Sequence, residues 1–311
     1  MNMKKRLFGL LILMLLSATY YRHEVNAASK FKIVDDCDEK VLKEYKGNER
    51  IVRVPDGVTE ISGAFKNNSR IRKIILPNTV KNILAFSFED LKNLKTVKFS
   101  KNLKYIEGSS FVKCPKIKKI LIPKKCKRID YGAFGGCEGL KTIKVEKGNK
   151  HFKVWKDALY SKNMKELILF PKSCKKYKTY VIPSTVKRLY DDAFQNNKYI
   201  EKLIVKGNIT HVCDDTMACA YMKNLRCVIF KTKQTSKKFG IGFEGCHNLE
   251  KVILADGTKY IIYRQFTDCK NLTQINLPDS LIGIAENAFE GCDKLVLPEI
   301  DESKIIHYPI Y

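Results

Sequence analysis

One residue pattern returns about every 23 positions along most of this 311-residue chain, and few folds can absorb it. A Phe is followed at +3 by Cys or Asn, then by aliphatics at +6, +9 and +11, often with Pro at +12. The segments FKNNSRIRKIILP from Phe65, FVKCPKIKKILIP from Phe111 and FTDCKNLTQINLP from Phe266 show it plainly. Repeats start at Phe65, Phe88, Phe111, Phe134, Phe194, Cys219, Phe243, Phe266 and Phe289, with Cys219 standing in for a Phe. A further apolar residue recurs at +18, filled by Ile83, Ile106, Ile129, Ile261 and Ile284. One such unit cannot bury its own apolar side, whereas stacked units share a continuous core. A fixed period of this length therefore means a solenoid.

Within each unit the +9 and +11 anchors alternate as in a short β-strand, and Pro ends the strand at a turn. The expected fold is a stack of parallel strands joined by turns or 3-10 segments. The 60-residue gap from Phe134 to Phe194 exceeds two 23-residue units by 14 residues. In it, Ala158–Tyr160 and Leu167–Leu169 flank the polar run Ser161–Lys165, which predicts a β-hairpin protruding from the stack. At the end, the compressed unit Cys292–Pro298 and the tail Asp301–Tyr311 predict a cap over the last open edge.

The motif A-F-x-x-C-x-x-L-x-x-I-x-[LV] fits Ala133 to Val145 and, in part, Ala288 to Leu295. It resembles the BspA-like leucine-rich repeats of secreted and surface proteins of bacteria. The stretch YKGNERIVRVPDGVTEISGAF from Tyr45 and the insertion DALYSKNMKELILFP are similar to variants in that family. The resemblance covers roughly residues 45 to 298. It implies a leucine-rich repeat solenoid, and a broad association with adhesion and with host or matrix binding.

The N-terminus reads as an export signal. Lys4, Lys5 and Arg6 precede an apolar run from Leu7 to Ala18, and Val25-Asn26-Ala27 offers small residues for cleavage after Ala27. The run is too short to span a bilayer, so no membrane insertion is expected after cleavage. The organisation expected is thus a signal peptide over 1–27 and an N-terminal cap with a partial coil over 28–64. The solenoid follows over 65–298, with its insertion near 147–180, and a cap or tail closes it over 299–311.

Eleven cysteines follow the signal. Cys114, Cys137, Cys246, Cys269 and Cys292 share the +3 slot, where repeated use of one residue argues for buried free thiols in a stack rather than disulfides. Cys213, Cys219 and Cys227 lack the paired spacing of a structural zinc site. His151, His211, His247 and His307 fall in different units, and Cys246 next to His247 should face away from it. The sequence presents no catalytic constellation, and no cofactor or metal is expected.

Charge is the one feature that points to a ligand. Lys and Arg total 58 against 33 acidic residues, and the excess is concentrated: residues 66–190 carry 32 basic and 8 acidic side chains. Residues 191–311 carry 15 and 16. Outward positions at +7, +8 and +10 hold Arg72, Lys73, Lys95, Lys98, Lys118, Lys119, Lys141 and Lys144, which stacking would align as a basic ladder. Like charges one strand apart repel, and a multivalent anion relieves that repulsion while releasing counterions. The other exposed side is also basic, at Lys101, Lys104, Lys124, Lys125, Lys127, Arg128, Lys187 and Arg188, so a collar is the competing arrangement. Trp155 and Tyr160 among the lysines are candidate aromatic contacts for sugar rings, although such residues more often pack an insertion onto its scaffold.

The expectation is a secreted, monomeric, non-catalytic binding or adhesion protein. Its basic half would dock on an anionic surface polymer or an acidic host or matrix protein. Nucleic acid suits the charge but not an export signal. Two alternatives stand beside it: an enzyme acting on anionic polysaccharide, which the scarcity of carboxylates in the basic block disfavours, and a neutral protein-interaction module using the C-terminal coils.

Overall fold

A computed structural model describes residues 30–212, 217–236 and 240–307. The signal expected over residues 1–27 and the end of the expected tail, from 308, lie outside these. The chain coils into a parallel β-solenoid of about 11 turns with almost no helix. Each regular coil carries two short strands. One covers positions +8 to +11, as in Lys73–Ile75, Lys119–Ile122 and Thr142–Val145. The other covers +17 and +18, as in Asn82–Ile83, Tyr105–Ile106 and Arg128–Ile129. Neighbouring coils pair in register, so Ile74 faces Val97 and Ile83 faces Ile106. The period of 23 thus becomes a vertical alignment of equivalent side chains, one strand spacing (about 4.8 Å) apart.

Phe rings form the spine of the interior. Phe65, Phe88 and Phe111 stack with centroids 5.5 and 4.6 Å apart, and Phe243, Phe266 and Phe289 do so at 5.8 and 5.6 Å. Tyr45 extends the column at its start, 5.5 Å from Phe65. Two residues past the repeat position the backbone turns through the left-handed region in coil after coil: Asn67, Asp90, Lys113, Gly136, Asn196, Tyr221, Gly245, Asp268 and Gly291 all have positive φ. Seven of these nine are Gly, Asn or Asp, which tolerate this conformation, whereas at Lys113 and Tyr221 the stacked coil imposes it.

The cysteines at +3 have a specific task. Cys114, Cys137, Cys269 and Cys292 each donate Sγ–H to the carbonyl of the Phe one coil earlier, at 3.0, 3.4, 3.4 and 3.0 Å. Cys246 does the same to Cys219, at 3.2 Å. A small, buried, weak donor thus reaches a corner carbonyl in each coil, and at Phe243 and Phe266 it adds to the backbone N–H that the carbonyl already accepts. All ten described cysteines are free thiols. Burial pushes Cys114, Cys126 and Cys246 up to about 12. In the folded protein at pH 8, iodoacetamide should therefore label the exposed Cys37 and spare these three, with full labelling only after denaturation. Rapid native modification of Cys114 or Cys246, read by peptide mass mapping, would contradict the packing.

The insertion differs from the protruding hairpin expected of it. Phe152–Trp155, Ala158–Ser161 and Glu166–Leu169 form a three-stranded antiparallel meander. Its last strand joins the solenoid by pairing in parallel with Arg188–Leu189. Ala158, Leu159 and Tyr160 are fully buried. The reason is that both faces of this meander are apolar and each meets a different core. Leu159, Ile168 and Leu169 pack toward the N-terminal coils, whereas Ala158, Tyr160, Leu167 and Phe170 pack toward the C-terminal ones. The meander is a wall between two cores. Phe170, stacked 5.4 Å from Phe194, restarts the Phe column beyond it.

At the N-terminal end, β1 (Phe31–Asp36) and β2 (Glu39–Tyr45) form an antiparallel hairpin, and β2 pairs in parallel with Glu60–Ile61. At the other end, Ile305–Ile306 adds a strand beside Gly283–Ala285.

Candidate functional site

Register places the eight basic residues named from the sequence on one side of the N-terminal half, but in three unequal rows. At +7, Arg72 donates its N–H to the Arg50 carbonyl, Lys95 to Arg72, and Lys141 to Lys118. Arg50, Arg72, Lys95, Lys118 and Lys141 are all exposed, so this row is cationic in five successive coils. The other rows alternate. At +8, Lys73 faces Thr96 and Lys119 faces Thr142. At +10, Arg53 faces Ile75, Ile75 faces Lys98, and Leu121 faces Lys144. The ladder is therefore one unbroken column flanked by two interrupted ones. The strands Thr96–Lys98 and Lys119–Ile122 belong to separate sheets, so the column is continuous in side chains rather than in hydrogen bonding.

Arg50 and Arg53 belong to this surface and are absent from the sequence-based set. They lie in the stretch before Phe65, where basic and acidic residues balance, and only register connects them to the column.

The column's electrostatics set it apart. Among the described residues, none of Arg50, Arg72, Lys73, Lys95, Lys98, Lys118, Lys119, Lys141 and Lys144 forms an ion pair with a carboxylate. Beyond the meander the same row reads Lys178, Glu201, Arg226 and Glu250, and it neutralises itself: Lys178 pairs with Glu201, and Arg226 with Glu250 at 3.2 Å. The opposite side of the N-terminal half is mixed. Lys81 reaches Glu39 at 3.1 Å, Arg128 reaches Asp130 at 2.6 Å, Arg188 reaches Glu166 at 3.3 Å, and Lys127 lies 5.3 Å over the Tyr105 ring. Lys101, Lys104, Lys124 and Lys187 stay exposed there. The cationic surface thus extends round the half, with its unpaired charge densest along the +7 column.

Of the two aromatic candidates, Tyr160 is fully buried, its hydroxyl 2.9 Å from that of Tyr180, and so packs the wall instead of meeting a ligand. Trp155 is half-buried, set edge-on to Tyr160 at 6.0 Å, with the Lys156 ammonium 4.7 Å over its ring. Cys246 and His247 diverge: the thiol turns inward to Cys219, while His247 Nδ1 lies 2.8 Å from the Asp268 carbonyl. No group of three or more His, Cys, Asp or Glu among the described residues could hold a metal ion.

Stacked parallel coils with aliphatic and Phe columns define a leucine-rich repeat protein. The BspA type leucine rich repeat region matches in six copies over residues 59–181, 172–242 and 240–308, and the chain belongs to this family. Its structure is similar to a leucine-rich repeat protein from Eubacterium ventriosum, with a TM-score of 0.63 and 22% identity, covering 90% of this chain and 92% of that one. It is also similar to a leucine rich cell surface protein from Faecalibacterium prausnitzii, with a TM-score of 0.54 and 19% identity, covering 90% and 94%. A third likeness is the pneumococcal vaccine antigen PcpA, at 0.52 and 16%, covering 90% and 91%. No curated protein sequence matches this chain. No helix among the described residues is long and apolar enough to cross a membrane.

Proposed function

We propose that this is an exported, non-catalytic binding protein that docks through its cationic column on an anionic polymer or an acidic protein surface. The observation that carries the reading is the +7 column, five cations in register with no carboxylate partner. A rigid scaffold holds them as a row, so a chain of anions meets all five at little cost in its own ordering. Lysine, which predominates, attracts phosphate, sulfate and carboxylate as a point charge without bidentate selection. Wall teichoic acid, acidic mucin glycans and glycosaminoglycans all present such chains. The leucine rich cell surface protein from Faecalibacterium prausnitzii supports a surface setting for this scaffold.

The test is retention on immobilised heparin in a salt gradient, for the parent and for a variant with Lys95, Lys98, Lys118, Lys119, Lys141 and Lys144 changed to Glu. The parent should elute late, its affinity falling with salt at a logarithmic slope of roughly −3 to −5 for about five neutralised anions. The variant should elute near physiological salt. Equal retention of both would remove the site from the column.

A second reading, binding of a neutral protein surface by the C-terminal coils, rests on a cleft of about 430 Å³. It is lined by Glu250, Lys251, Asn271, Thr273, Gln274 and Lys294, where charges of both signs meet amides. Partner binding there should persist at salt concentrations that strip the parent from heparin.

A further inference from the structure

The strand β1 ends the six-stranded sheet and pairs with β2 alone. Five of its six residues are exposed, including Ile33 and Val34 at 37% and 40%. It is nonetheless held firmly. Phe31 packs on Tyr45 with centroids 4.8 Å apart, Lys46 N–H donates to the Lys30 carbonyl at 2.8 Å, and Glu49 takes both the Lys30 ammonium and the Tyr45 hydroxyl. Cys37 and Asp38, with φ of 45° and 68°, close the hairpin with the left-handed pair that a tight two-residue turn requires. The irregularity in the hairpin lies in β2: Lys32 faces Glu44 and Ile33 faces Leu42, so Lys43 is the extra residue and β1 is unbroken. A rigid, unbroken edge of free N–H and carbonyl groups is a template for another strand.

The sequence of that edge, FKIVDD, is complementary to itself. Two copies paired antiparallel about a two-fold axis perpendicular to the sheet keep each face on one side. Facing residue numbers must then sum to an even value, because side chains alternate with period two. Centring the axis on Val34 sets Lys32 opposite Asp36 of the second copy, and Asp36 opposite its Lys32. Val34 then meets its own counterpart, and Ile33 lies opposite Asp35. Centring on Ile33 brings no opposite charges together within the strand, where Lys32 meets Val34; only Lys30, which precedes the strand and is already held by Glu49, would face Asp36. Centring on Lys32 or Asp35 sets like charges face to face.

We infer that β1 is a self-association surface through which a second copy of this chain pairs, in the Val34 register. The twofold joins two six-stranded sheets into one of twelve strands, in place of the monomer expected from the sequence. The interaction does not depend on any polyanion.

Sedimentation velocity without polyanion, from micromolar to submillimolar concentration, tests it on the parent and on two exposed charge reversals, Lys32→Asp and Asp36→Lys. The parent should dimerise. Each single variant should be monomeric or weakened on the order of tenfold or more, since both cross-strand pairs become like-charged. An equimolar mixture of the two should recover the dimer mass, because one carries Asp at both positions and the other Lys at both. The doubly reversed chain should dimerise like the parent. A parent that stays monomeric overturns the inference and leaves the edge to a strand of another protein. Single variants that dimerise like the parent, or a mixture that stays monomeric, overturn the pairing as well.

Discussion

Asn149→Asp, an exchange of one amide nitrogen for oxygen, should lower the melting temperature at pH 7 by roughly 10 °C. Asn149 is 2% exposed and uses its whole amide. Its Nδ2 donates to the Pro123 and Cys126 carbonyls at 2.8 and 2.9 Å, while Oδ1 accepts from the N–H groups of His151 and Phe152, both at 2.8 Å. These four bonds tie the turn after the strand Lys119–Ile122 to the first strand of the meander. The aspartate keeps the two accepted bonds but turns a second oxygen toward two carbonyls. Two bonds are lost and a buried charge faces like partial charges, a cost of about 3–5 kcal/mol at pH 7. Protonation converts that oxygen back into a donor for one carbonyl, so the folded-state pKa of the new carboxyl lies above its unfolded value. The penalty is then smallest below the unfolded pKa and grows as pH rises toward the folded one. Melts followed by Trp155, the single tryptophan, should show the variant closer to the parent at pH 4 than at pH 7. A loss equal at both pH values would mean that the buried charge adds nothing to the penalty, and no loss at either would mean that the amide's donor half carries nothing.

The repeat spacing shows the second strand only as an apolar residue at +18, but it makes the solenoid, the first strand and the buried thiol stack readable from the chain alone, because a period is a statement about every coil at once. What it conceals is whatever breaks the count. Phe170 occupies a repeat position, its N–H bonded to the Ala193 carbonyl as that of Phe111 is to Ala133. It follows Phe134 by 36 residues, which hides it among the apolar residues of ELILFP. The strand Phe152–Trp155 was hidden in a different way: its lysine and aromatics look like surface decoration until Ala158–Ser161 pairs with it. The same limit applies to the candidate site. The offsets name the cations of the ladder and the Thr, Ile and Leu that alternate with them at +8 and +10, yet they cannot say which of these cations lack a carboxylate partner. Nor can they recruit Arg50 and Arg53, which register alone brings to the same surface.

The largest effect is expected of Phe170→Ala, which should split unfolding into two steps. The ring is fully buried, 5.4 Å from Phe194 and 4.9 Å from Tyr180, with Tyr177 at its edge. Truncating a buried Phe costs about 3–5 kcal/mol through lost transfer energy and the cavity left behind. In a solenoid each coil contacts only its neighbours, so stability is a sum of coil and interface terms, and where a loss falls matters as much as its size. Phe170 stands where the meander already divides the core, and no Phe stack spans the gap from Phe134 across it. Removing the ring weakens the one aromatic column that anchors the wall to the C-terminal coils, while Leu159, Ile168 and Leu169 still hold it to the N-terminal ones. Denaturant unfolding of the variant should therefore show the C-terminal coils melting first, a step that Trp155 reports because it packs on Tyr160 and that core, with far-UV circular dichroism following the later loss of the N-terminal coils. Phe289→Ala, at a half-buried position in the last coil, removes a similar ring without dividing the stack. It should shift a single transition by a smaller amount. A single transition in Phe170→Ala, displaced no further than in Phe289→Ala, would show that the two cores unfold as one and that the meander is not their boundary.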